Sequence, residues 1–159
     1  MTTPPLSDVH ALVTMAAESA ILLIGPPGSR LGTLRDILAH PRWEIREVSC
    51  YGEAVGILNR CRIAVTICDT DMEDGNWQSL LADLQGRPEP PNLIVSSRLA
   101  DERLWAEVLN LGGYDVLQQP FDGGEVLRVT GMAWADWHER WPCRTGQEAG
   151  TLRARSAAF

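Results

Sequence analysis

Four acids gathered just after an apolar run are the residues in this chain best placed to do chemistry. Asp69, Asp71, Glu73 and Asp74 follow Ile63–Cys68, and Asp74-Gly75 closes the stretch as a turn. A short, mostly β-branched run bounded by turn residues fits a strand buried on both faces, as a parallel sheet requires. Such a strand delivers Asp69 to the carboxyl edge of the sheet, where open α/β sheets keep their functional crevice. An aspartate there offers oxygen, either to a hard cation or to hydrogen-bond donors. The simpler reading is that Asp69 only caps its loop. A second candidate is the glycine- and proline-rich loop Gly25-Pro26-Pro27-Gly28 after the apolar run Ala20–Ile24. Cys50, Cys61, Cys68 and Cys143 form no CxxC pair and share no metal-ligand spacing with His10, His40 or His138, so reduced structural cysteines are expected.

The elements that position these residues alternate along the chain. Ala20–Ile24, 43–48, Ile63–Asp69, 93–97 and Val116-Leu117 read as strands. Between them lie helices carrying Leu31, Leu34, Ile37 and Leu38; then Glu53–Leu58; then Leu80, Leu81 and Leu84; then Leu104, Val108 and Leu111 behind an Asp101 cap. A last helix from about Gly124 is expected to carry Leu127, Thr130, Trp134, Trp137 and Trp141 along one stripe. This alternation is that of a doubly wound parallel α/β sheet with right-handed crossovers. Residues 1–18 read as an N-terminal extension, 19–138 as the domain and 139–159 as a flexible tail.

Composition narrows the function classes. With 159 residues the chain fits one domain, and its net charge of −7, from 21 acids against 14 bases that are all arginine, predicts no nucleic-acid footprint. Residues 11–24 are apolar, but Glu18 interrupts them and no base precedes them. A signal peptide or membrane span is therefore not expected, and the expected location is the cytoplasm.

Two resemblances compete for this frame. Ile24-Gly25-Pro26-Pro27-Gly28-Ser29-Arg30-Leu31-Gly32-Thr33 resembles the phosphate-binding loop of adenylate kinases, which would imply a nucleotide-binding protein. Here Arg30 stands at a required glycine and Leu31 at the lysine that reaches the phosphates. The broader resemblance, over roughly residues 19–138, is to receiver domains of bacterial response regulators. Asp69, Met72 and Asp74-Gly75 match the phosphoacceptor strand end and its loop; Ser96 matches the hydroxyl ending the fourth strand; Gly112-Gly113 and Gln119-Pro120-Phe121 match the segments around the fifth. The resemblance implies a five-stranded flavodoxin-like sheet of order 2-1-3-4-5 and a cis Gln119-Pro120 peptide.

The departures from that pattern concern the chemistry. Gly25 and Pro26 stand where receivers hold Mg²⁺ with an acidic pair, leaving Asp69 and the Asp71 carbonyl as ligands of a weak or absent site. Gln119 replaces the lysine that pairs with the phosphoryl group, and Val116 replaces the switch aromatic. Losing metal ligands and cation together is expected to cost several powers of ten in phosphoryl transfer. The expectation is a stand-alone, non-enzymatic receiver without a cofactor, acting by protein–protein contact in a phosphorelay. Its partner would be a histidine kinase or another signalling protein, or a second copy through the face of the fourth helix, fifth strand and fifth helix, with Trp134 or Trp137 as anchor. The alternative is a conventional receiver phosphorylated on Asp69 by a histidine kinase, and the third reading is the nucleotide-binding loop.

Overall fold

The computed structural model describes residues 19–39, 43–70, 72 and 74–142. Five parallel strands, β1 (Ala20–Ile24), β2 (Glu44–Val48), β3 (Ile63–Asp69), β4 (Asn92–Ser97) and β5 (Asp115–Gln118), alternate with five helices. The helices are α1 (Leu31–Leu38), α2 (Tyr51–Arg60), α3 (Trp77–Gln85), α4 (Glu102–Leu111) and α5 (Gly123–Arg140). Strand order is β2-β1-β3-β4-β5, the flavodoxin-like order expected. The chain reverses direction across the sheet between β1 and β3, which places the crevice at their carboxyl ends. The expected N-terminal extension and most of the expected tail lie outside the described residues.

The sheet is covered on both faces because its central strands are apolar on both. Along β1, Ala20, Leu22 and Ile24 join the cluster under α2, α3 and α4, whereas Ile21 and Leu23 join the cluster under α1 and α5. β2 carries Glu44, Arg46 and Glu47 and is an edge strand, where exposed charge blunts unwanted pairing. Asn76 and Asp101 cap α3 and α4 by accepting from the N–H groups of Ser79 and Leu104 at 2.8 Å. Gly112 ends α4 at φ 101°, a left-handed position that glycine adopts without cost.

Three expectations about helix faces need correction. The buried stripe of α5 runs through Val126, Val129, Thr130, Ala133 and Trp137, with Trp134 and Trp141 packed at its margin, so of the residues expected there only Leu127 points outward. Leu111 is exposed at the end of α4, leaving Val108 as that helix's fully buried contact. Trp137 is 0% exposed and packs in the core under α1 and α5, so it cannot anchor an interface. Trp134, half-buried, tilts against Trp43 at 6.2 Å on the side of α5 away from α4. The proposed anchors therefore belong to the core and its margin. His138 bonds Ser19 Oγ at 2.8 Å and the Trp134 carbonyl at 2.9 Å and lies against both tryptophans.

The loop that leaves β3 is fastened to α2 by Asp74. Its carboxylate accepts from the N–H groups of Tyr51 at 2.8 Å and Gly52 at 3.1 Å, two of the donors that a helix N-terminus leaves unmatched. These backbone bonds hold the Asp74 carboxyl below its ordinary pKa. A lowered folded-state pKa gives stability that is complete above the unfolded value and is lost as pH falls through the folded one. Wild-type thermal stability should thus drop more steeply than that of Asp74→Asn as the pH is taken below about 4, and parallel melting curves for the two proteins would refute the assignment. Trp137→Ala, by emptying a fully buried site, should lower unfolding free energy by about 3–5 kcal/mol in urea titration, rather than leave the fold untouched as an interface residue would.

Candidate functional site

The site is a crevice of about 550 Å³ at the carboxyl edge of the sheet, lined by Pro26, Pro27, Gly28, Ser29, Asp69, Thr70, Ser97, Arg98, Leu99 and Gln119. β3 brings Asp69 there because its six preceding residues are buried and the strand can end only where polar atoms reach water. β4 lies alongside in register, with Ser96 opposite Asp69, and Thr70 N–H donates to the Ser96 carbonyl at 3.2 Å. β5 contributes the following loop, in which the Gln119-Pro120 peptide is cis as expected.

Gln119 ties the three strand ends together. Its side chain is 6% exposed, and its Nε2 donates to Asp69 Oδ2 at 3.2 Å and to Ser96 Oγ at 3.4 Å. Thr70 Oγ1 donates to Asp69 Oδ1 at 3.4 Å. These two donors are neutral and at the long end of hydrogen-bonding range, so they orient Asp69 without bringing positive charge to it. Behind it, burial raises the Cys68 thiol far above its ordinary pKa, and the charge of Asp69 adds to the effect. That thiol stays protonated and inert.

The loop after β1 is a tight turn rather than an open cradle. Ser29 N–H donates to the Pro26 carbonyl at 3.0 Å, with Pro27 and Gly28 at its two central positions and Gly28 at φ 81°, the pattern of a type II turn. The amide of Ser29 is thereby committed within the loop. At Gly25 a Cβ would come within 3.0 Å of Ser29 Oγ and 3.1 Å of Leu31 Cγ. An aspartate at Gly25 would need those neighbours to give way, because Ser29 and Leu31 fill the space beside it.

The expected residues divide into those at the crevice and those elsewhere. Asp69 and Gln119 line it, and Ser96 sits just beneath, bonded to Gln119. Val116 is buried in the cluster with Val108, on the α4 face of the sheet. Asp71 lies outside the described residues. Among the described residues lining the crevice, Asp69 is the sole carboxylate, Gly25 and Pro26 bring no side-chain oxygen, and no cluster of three His, Cys, Asp or Glu occurs. The described lining thus offers one carboxylate to a hard divalent cation, which takes six or more oxygens, water included. The sequence reading missed Thr70, Ser97, Arg98 and Leu99. Their signal was position alone, one or two residues past a strand end.

No protein-family model and no curated protein sequence matches the chain. Solved structures do resemble it. The signal receiver domain of an HD domain-containing protein from Pseudomonas fluorescens Pf-5 matches at TM-score 0.68 and 22% identity, over 77% of this chain and 98% of that one. The receiver domain of the Francisella response regulator 1452 matches at TM-score 0.63 and 21% identity, over 72% and 95%. The signal receiver domain of a putative Luxo repressor protein from Vibrio parahaemolyticus matches at TM-score 0.71 and 14% identity, over 78% and 95%. At such identities the likeness is one of architecture, and together with the strand order it establishes that this chain has the fold of a response-regulator receiver domain.

Proposed function

We propose that the chain is a two-component signalling module that works by protein–protein contact, with Mg²⁺-dependent phosphorylation of Asp69 impaired or lost. The observation that carries this reading is the buried amide of Gln119 bridging Asp69 and Ser96, in the place where the receiver resemblance puts a lysine. A neutral amide orients a carboxylate but cannot balance developing phosphoryl charge. The packing around Gly25 supports the same reading from the metal side. On this view the domain binds rather than catalyses. Its partner is a histidine kinase or another signalling protein, and its net charge of −7 makes nucleic acid an unsuitable one. Among the described residues no helix is long and apolar enough to cross a membrane. A conventional receiver remains the second reading, favoured by the in-register pairing of Asp69 with Ser96.

The face of α4, β5 and α5 is the proposed contact surface, with Trp105 as anchor in place of the buried tryptophans. Trp105 is 50% exposed, yet its Nε1–H is fixed to Asp115 Oδ1 at 3.0 Å, and Leu109 lies one turn along the same helix face. A rigid, exposed aromatic beside an apolar neighbour is the kind of residue that dominates interface energy.

Incubation with acetyl phosphate or beryllofluoride and Mg²⁺ should leave intact mass and the NMR signals of Asp69 and Ser96 unchanged. Robust Mg²⁺-dependent modification at Asp69 would establish the conventional reading instead. Trp105→Ala should preserve the fold while weakening self- or partner association by upwards of about 1 kcal/mol. Sedimentation showing the same monomer before and after, with no partner recovered, would remove this face as an interface.

A further inference from the structure

We draw no further inference here: the strongest candidate, the pocket of about 520 Å³ at the amino pole of the sheet lined by Arg62, Arg87, Glu89 and Trp141, carries none, because Arg62 and Glu89 bond each other, Arg87 bonds Asp83 and Asn59, and nothing among the described residues shows what covers it.

Discussion

The complete burial of β3 is the constraint on which the rest of this structure depends. Its residues from Ile63 to Cys68 are inaccessible to water, so their backbone groups must be matched by neighbouring strands and their side chains covered on both faces. β1 and β4 provide the first, and the two helical layers provide the second. The polar terminus of the strand can then lie only at the sheet edge. Asp69 is exposed to the crevice because everything before it is not.

Around that carboxylate, Gln119 and Thr70 are neutral hydrogen-bonding neighbours. Gln119 holds Asp69 and Ser96 by one amide, and the turn at Pro26–Ser29 fills the space beside β1 with its own atoms. On the reading proposed above, both features withhold a means of neutralising added negative charge, which is what phosphoryl transfer asks of its surroundings.

The opposite pole of the sheet is built for cohesion. Arg62 donates to Glu89 through Nε at 2.8 Å and to the Trp141 carbonyl through Nη2 at 2.8 Å, and its guanidinium lies 4.6 Å from the centre of the Trp137 ring. Asn92 at the start of β4 donates to the Ala133 carbonyl and to Asp136, and accepts from Arg140. These partly buried networks join α5 to the loops before β3 and β4, where a lost partner would leave polar groups unsatisfied. At the carboxyl pole, among the described residues, the Asp74 bonds to α2 and the Gln119 bonds to Asp69 and Ser96 tie the loops.

The sequence by itself determined the strands, their order of appearance and the position of Asp69, because apolar runs cut by Gly, Pro and Asp leave little choice of element. Caps and turns were equally legible at Asp101, Gly112 and Pro120, where local backbone chemistry decides the outcome. Helix facing was not. In α5 the first turn differs from the facing expected, since which of Val126 and Leu127 faces inward depends on the angle at which the helix meets β3, a tertiary quantity. For the same reason Trp134 or Trp137 read as the anchor of an interface, although Trp137 is buried in the cluster under α1 and α5 and Trp134 packs against it. The exposed aromatic was Trp105, whose indole is set by a carboxylate ten residues away. At the crevice the resemblance singled out Gly25, Pro26 and Gln119, but the sequence did not show what those residues touch. That Gln119 reaches Asp69 across fifty residues, and that Gly25 is walled in by Ser29 and Leu31, are facts of packing that only the folded chain decides.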